Sequence, residues 1–482
     1  MSGGRRGGAA EQAQPADPPS LLIPIVVACS FFMEQLDSTI ITTAIPAMAR
    51  SLGTEPVRLS LAITSYILSL AVFIPISGWF ADRFGSRRVF CAAIVVFTTG
   101  SALSGIAPSL PFLVVTRVLQ GMGGAMLSPV GRLILLRSFP KEELARAMAY
   151  VAIPALIGPT VGPVLGGFLT TYFNWRWIFY VNIPVGLIGI ALALRFVEDF
   201  RATTPSRFDL RGFIIVGIGL ATLQFGFENV GRHVLAPAAI AVTFAAASVA
   251  LGLYGWHARR HPNPVLDLGL FRMRTFRIGT LVGGICRTGM NAVPFLLPLL
   301  FQLGFGLSPL RSGLLTFASA IGSLSVRPMS ASLLRLLGFR RLMFGNAIVV
   351  ACVMAGFTLL RPDTPHWLVL GYVMMFGVVR TTQFNTSNML AYSEIPPARL
   401  SRSTSLGSAL QQLTLGFGVS ISAALLDLVM PREGTPTLGE FHTVFLVMAL
   451  IPLLAAPGFL PLAETDGIEV SRHRVRGAQP AR

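Results

Sequence analysis

Charge is what this 482-residue sequence has least of: 12% of its residues are Asp, Glu, Lys or Arg, about half of the roughly 25% usual in a soluble domain. Hydrophobic residues make up 53%, and the mean hydropathy is +0.68. One water-soluble core cannot enclose that much apolar surface, which excludes a soluble enzyme. Lysine is almost missing, with Lys141 alone among 38 basic residues. A phosphate-cradling GxxxxGK[ST] loop needs lysine directly after glycine, and Lys141 follows Pro140, so no ATP-driven pump is encoded. Cysteine is scarce too. Cys29, Cys91, Cys286 and Cys352 all fall inside apolar runs with no CxxC pair. They read as small buried hydrophobes and imply neither a disulfide framework nor a zinc site. Of the six histidines, His233, His257, His261, His366 and His473 sit at span ends or in loops and read as forming no metal site.

What is present is a series of long apolar runs. A helix crossing the ~30 Å hydrocarbon core needs about 20 mostly apolar residues. Fourteen segments are candidates: 21–43, 58–80, 88–107, 111–136, 146–172, 177–196, 210–228, 234–256, 276–301, 309–330, 342–360, 366–389, 403–428 and 441–462. The seventh is short and ends at Glu228 and Asn229. The first twenty residues are small, polar and Pro-rich and read as a disordered cytoplasmic tail. The run that follows is too long for a signal-peptide core and is expected to be retained as span 1.

The net charge of +17 suggests nucleic acid until its location is considered. With an even number of spans both termini share a side. On that side lie 26 Lys/Arg, for example Arg83, Arg87, Arg88, Arg259 and Arg260, against 7 on the other, the rest being within spans. By the positive-inside rule both termini are cytoplasmic and the protein sits multi-pass in the inner (plasma) membrane. The bilayer, not nucleic acid, accounts for the basic balance.

The loop after span 2, GWFADRFGSRR (Gly78 to Arg88), has a counterpart after span 10, ASLLRLLGFRR (Ala331 to Arg341), with Gly85 aligned to Gly338. A transporter built from two related six-helix bundles would show such a repeat. The expected division is therefore a tail at 1–20, an N-terminal six-helix bundle at 21–200, an inserted helix pair with linkers at 201–260, a C-terminal six-helix bundle at 261–465, and a tail at 466–482.

Several segments then point to one family. GWFADRFGSRR is similar to the G-x-L-A-D-R-x-G-R-K loop of the major facilitator superfamily, and RVLQGMGGA (Arg117 to Ala125) to its R-x-x-Q-G-x-G-A element. GPTVGPVLGG (Gly158 to Gly167) resembles the G-x-x-x-G-P-x-x-G-G element of antiporters. With LDSTIITTAIP in span 1 and WRWIFYVNIP opening span 6, the chain resembles fourteen-span drug:proton antiporters of the EmrB/QacA type, in their MdtD-like branch. The resemblance covers everything after residue 20. It implies an all-α membrane protein of the major facilitator fold, two six-helix bundles plus two inserted helices. It also implies a gating role for Gly78, Asp82, Arg83, Gly85 and Arg87 as a cytoplasmic latch. A leak seal is implied at Gly158, Pro159, Gly162, Pro163, Gly166 and Gly167. Ser86 departs from the basic residue usual in the loop, and Arg335 replaces the aspartate in the second copy, so only the first half should form the latch.

The residues carry their own reading. Asp82 can pair with a neighbouring arginine or cap a helix. Gly158, Gly162 and Gly166 share one helix face and permit close packing, while Pro159 and Pro163 bend the span. Glu34 and Asp37, three apart, occupy neighbouring positions on span 1. A carboxylate inside a membrane is costly and suited to loading and unloading a proton. Asp37 lies about 24 Å along the helix from Leu21, and Arg117 about 9 Å from the outer start of span 4. Both fall in the outer half, so Arg117 is the expected counter-charge and Asp37 the expected proton carrier. A fixed structural ion pair is the alternative. Glu34 is a second proton site, a substrate contact or a boundary residue. Arg287, deepest of the remaining arginines, is expected to face a cavity, binding an anionic substrate group or pairing with Asp37 or Glu34. Asn291, Gln383 and Gln411 are candidates to line that cavity, with helix–helix hydrogen bonding as the alternative. Arg132 and Arg380 are expected to snorkel.

The expected function is proton-coupled export of small amphipathic compounds or drugs by alternating access. It needs a small-molecule substrate, protons and a lipid bilayer, and no cofactor beyond the proton gradient. Export of a small organic anion or metabolite is the alternative, since buried arginines outnumber buried acids. A membrane-embedded enzyme is disfavoured because no His/Asp/Ser constellation lies at a membrane face. A periplasmic adaptor is neither implied nor excluded.

Overall fold

The computed structural model describes residues 22–139, 141–201, 208–230, 235–396, 399–430 and 436–468. The first tail, nearly all of the last, and the side chains of Lys141, Arg327 and Arg432 lie outside the described residues. The chain is helical, as it must be where no water satisfies backbone groups. The principal helices are α1 (Leu22–Ile40), α2 (Ser60–Phe73), α3 (Ser77–Phe84), α4 (Ser86–Gly105), α5 (Leu110–Ser138), α6 (Lys141–Tyr172), α7 (Asn182–Phe196), α8 (Leu210–Asn229) and α9 (Pro237–Arg260). They continue with α10 (Gly283–Asn291), α11 (Val293–Leu299), α12 (Pro309–Ser325), α13 (Arg327–Gly356), α14 (His366–Tyr392), α15 (Leu400–Val429) and α16 (Leu438–Ala455).

Among the described residues, eleven helical segments are long and apolar enough to cross a membrane. The other three expected spans fall on α6, α12 and α14, helices of 32, 17 and 27 residues. Spans 7 and 8 correspond to α8 and α9.

Packing divides the helices into two groups. Helices α1, α2, α4, α5, α6 and α7 contact one another, as do α10, α12, α13, α14, α15 and α16. Two long seams join the groups: α6 against α12, and α2 against α15. The inserted α8 lies along the second seam, touching both α2 and α15, and α9 packs on α8. Only 11% of the apolar stretch of α9 is buried, against 72% for the segment containing α2 and α3. Helix α9 therefore turns most of its surface to lipid.

The repeat found in the sequence is geometrical as well. Gly85 (φ 99°, ψ 137°) and Gly338 (φ 69°, ψ 172°) both adopt positive φ, where the chain turns from one helix into the next. A side chain is disfavoured there. The parallel extends to residues far along the chain. Arg88 Nε lies 3.5 Å from Asp199 just after α7, and Arg341 Nη2 lies 3.6 Å from Glu464 just after α16. In each half the carboxylate that follows the last helix meets the second arginine after the glycine.

Candidate functional site

Helix α1 carries Asp37 into the middle of the first group, with 1% of its surface exposed. Arg117 of α5, wholly buried, donates from Nη1 to Asp37 Oδ2 at 2.5 Å and to Gln120 Oε1 at 2.8 Å, and from Nε to the Ala62 carbonyl at 3.0 Å. Its guanidinium lies 4.1 Å from the centre of the Tyr66 ring. Asp37 Oδ1 accepts from Gln120 Nε2 at 2.8 Å and from Asn182 Nδ2 at 3.2 Å. Asn182, on α7, also donates to Ser101 of α4 at 3.0 Å. Five helices thus converge on one carboxylate. The groups that hydrogen-bond to it, Arg117, Gln120 and Asn182, all donate, as suits a carboxylate.

The expected Asp37–Arg117 pair is present. Gln120 and Asn182 were not singled out, although both stand within the motif segments RVLQGMGGA and WRWIFYVNIP. Glu34 takes no part in this cage. It is buried and accepts from Ser128 Oγ of α5, one turn further along. Arg132, expected to snorkel, is exposed with its guanidinium 5.5 Å from the Phe31 ring.

The antiporter-like segment of α6 works on two faces. Added Cβ atoms at Gly158, Gly162 and Gly166 would strike Gln35 and Leu36, Thr39, and Ile40 with Thr43 of span 1. On the other face a Cβ at Gly167 would lie 2.5 Å from the Pro309 carbonyl oxygen. Gly313 of α12 in turn meets the Pro163 carbonyl. Close packing of the glycines is therefore realised, and α6 is the piece that touches both the Asp37 helix and the seam with the second group. The same end is tied by Leu310 N–H donating to Thr171 Oγ1 at 3.2 Å and Gln302 Nε2 donating to the Thr43 carbonyl at 3.0 Å.

At the opposite end, Asp82 pairs with Arg137 of α5 at 2.9 Å, both partly exposed. Its neighbour Arg83 is exposed, and nothing lies near where a Cβ on Gly78 would be. Gly85 is different: the Asp199 carboxylate occupies the place a Cβ would take. Asp199 also accepts from the Arg87 backbone N–H at 3.2 Å, and Arg87 Nη1 donates to the Val197 carbonyl at 3.3 Å. Asp199 was not anticipated. Its loop lies 112 residues from Arg87, and no local pattern announces such a closure.

In the second group Arg287 of α10 is buried and donates from Nη1 to Asn388 Oδ1 at 3.3 Å, with its guanidinium 5.4 Å from the Phe384 ring. Gln411 donates to the same Asn388 oxygen at 2.8 Å. The pairing of Arg287 with Asp37 or Glu34 considered above does not form in this conformation. Two of the residues named as cavity-lining candidates, with helix–helix hydrogen bonding as the alternative, lie between helices in this conformation. Gln383 is fully buried in the α13–α14 seam, accepting from Asn346 at 2.9 Å, and Asn291 packs against Gly418 of α15. Gln383 thereby bridges two helices, as polar side chains in membranes commonly do.

A second buried acid network was missed. Glu228 of α8 accepts from Ser420 of α15 at 2.6 Å, from Ser60 of α2 at 3.2 Å and from Gln224 at 3.3 Å. It pins α8 into the seam between the groups. Two histidines read separately in the sequence come together: His257 and His261 are four apart, their rings stack 5.3 Å from centre to centre, and Asp209 lies beside them.

A multi-span helical protein with two helix groups meeting along two seams, and a buried carboxylate in one of them, has the architecture of a membrane transporter. Solved structures share the fold. A D-xylose-proton symporter superposes with TM-score 0.66 at 16% identity, covering 92% of this chain and 98% of that one. The human organic anion transporter MFSD10 (TETRAN) gives 0.61 at 16%, covering 92% and 100%. Residues 27–419 match the Major Facilitator Superfamily, and the chain belongs to it. Among its relatives is a protein of Cronobacter sakazakii, 39% identical over 437 residues, 89% of this chain and 92% of that one. Another, from Escherichia coli, is 37% identical over 464 residues, 94% and 97% of the two chains. Both are described as "Putative multidrug resistance protein MdtD".

Proposed function

We propose that this transporter exports small amphipathic compounds from the cytoplasm in exchange for protons, by alternating access between its two helix groups. The reading includes fourteen spans, with α8 and α9 inserted between six-helix bundles at 21–200 and 261–465. Both termini lie in the cytoplasm, at the inner membrane, and no cofactor beyond the proton gradient is needed. The observation that carries it is the all-donor cage around Asp37. A proton on Asp37 places an O–H against Arg117, Gln120 or Asn182, which are donors in this arrangement, and leaves Arg117 buried without its counter-charge. An uncompensated buried charge is costly, so protonation favours rearrangement of α1. Because α6 rests on α1 with one face and on α12 with the other, that rearrangement reaches the seam. The relatives' description supports drugs as the cargo. Export of a small organic anion is the second reading, favoured by Arg287 with its single amide partner.

The test uses inverted membrane vesicles energised to an acidic interior with a pH-sensitive dye. Lipophilic cations, neutral drugs and small carboxylates are added in turn, to wild type and Asp37→Asn. Dye recovery with cations or neutral drugs, lost in the variant, is the expected result. Full recovery in Asp37→Asn would refute the coupling role. Recovery with carboxylates alone would transfer the cargo to the anion reading, and Arg287→Met should then abolish it.

A further inference from the structure

The inserted hairpin of α8 and α9 ends in a cluster that the transport reading does not use. Asp209 is the N-cap of α8, its Oδ1 accepting from the Gly212 N–H at 2.9 Å. His257 stands in the last turn of α9 and His261 is its C-cap. His257 Nε2 lies 2.8 Å from Asp209 Oδ1, and one ligand-capable atom from each of the three residues lies within 4.8 Å of the others.

Two features separate this cluster from an ordinary ion pair. Asp209 is 5% exposed, and its second oxygen, Oδ2, is buried with no hydrogen-bond partner. A buried carboxylate oxygen left bare is uncommon and calls for an explanation. The second imidazole is also superfluous to a simple pair, since His257 alone meets Oδ1. We propose that Asp209, His257 and His261 form a divalent transition-metal site, suited best to Zn²⁺, which fastens the two ends of the hairpin together.

The donor set fits that choice. Two imidazoles and one carboxylate are borderline ligands of the kind Zn²⁺ takes, at about 2.0–2.2 Å. Two such ligands around a tetrahedral ion stand roughly 3.4 Å apart, so the present separations need only small side-chain movements. His257 and His261 are half-buried, leaving one side for the ion to enter and for a water as fourth ligand. Binding through His261 Nε2 would protonate Nδ1 and displace the long 3.3 Å contact from the Asn263 N–H. Arg260, in the same last turn of α9, is stacked on Trp256 with its guanidinium 4.1 Å from the ring centre. A cation is also welcome at the C-terminal end of α9.

The experiment needs no transport substrate. Protein carrying a non-histidine affinity tag is stripped with EDTA in detergent and titrated with Zn²⁺ against a chromophoric chelator, then with Co²⁺ for its visible absorption. The expected result is one Zn²⁺ per chain, a four-coordinate Co²⁺ spectrum and a rise in Tm with Zn²⁺. Asp209→Asn and His261→Ala should each lower the affinity at least tenfold. His261 lies at a helix end, so this second variant keeps its fold if Asp209→Asn does not. Absence of stoichiometric binding in wild type, or equal binding in wild type and His261→Ala, would overturn the proposal.

Discussion

Adding one methyl group at Gly313 should open the end of the molecule where α6 meets α12. The Cβ of Gly313→Ala would overlap the Pro163 carbonyl and lie 3.3 Å from the Val164 Cα. Both are backbone atoms, so no side chain can swing aside, and the helices themselves must separate. Overpacking of this kind costs about 1–3 kcal/mol, and here it falls only on the conformation that holds this seam closed. That corresponds to roughly a 5- to 150-fold shift against the closed arrangement. A tenfold preference for closure would fall to about twofold at the low end and invert at the high end. Spin labels on Tyr172 and Arg311, exposed residues flanking the contact, would report the change in a pulsed EPR distance measurement in a cysteine-free background. The Gly313→Ala distribution should gain a longer component. Gly439→Ala, which meets nothing within 4 Å, is the control and should leave it unchanged. A Gly313→Ala distribution identical to the parent would refute the view that backbone contact at this seam sets the closed state.

Asp82→Asn removes an ion pair that is 39% exposed on the aspartate side. Stability should fall by no more than about 1 kcal/mol, with thermal unfolding nearly unchanged, while substrate flux in vesicles drops. A loss of flux that tracks a loss of Tm would argue for a structural role only. Glu228→Gln leaves the Ser60, Ser420 and Gln224 donors with one carbonyl oxygen to share, at a cost of about 1–3 kcal/mol. This should appear as a lower Tm in detergent, and adding Ser420→Ala should cost less than it does alone. Strict additivity would mean that these residues do not form one network.

The parts of this molecule that could be read from its sequence are those where a residue stands out against an apolar background. Asp37 and Arg117 are charges in membrane spans, and their depth alone paired them. Gln120 and Asn182 carry no charge, and whether such a residue faces a carboxylate or another helix depends on packing that a single span does not encode. Arg287 shows a different limit. A π-helical turn at Ile278–Val282 precedes it and a second follows at Leu300–Gly304. Such a turn inserts a residue and rotates the following face by about 100°, so helical periodicity cannot say where Arg287 or Asn291 points. Asp199 failed for the reason that closures across a hundred residues always do, whereas Gly85 and Gly338 were legible because the motif occurs twice. The spacing of His257 and His261 was plain in the chain, but the α9 terminus falls between them and Asp209 arrives from another helix.

The nearly unburied helix α9 gives membrane thickness a grip on the machine. Its apolar stretch, from Pro237 to Trp256 ahead of the basic last turn, runs for about 30 Å, matched to the ~30 Å hydrocarbon core. In a thinner bilayer that stretch exceeds the core and the helix tilts. Its main protein support is α8, and α8 is pinned by Glu228 into the seam between the two helix groups. A change of lipid chain length is thereby passed to the seam between the two helix groups, and under the proposed alternating access the bilayer becomes a setting of the transport cycle and not only its container.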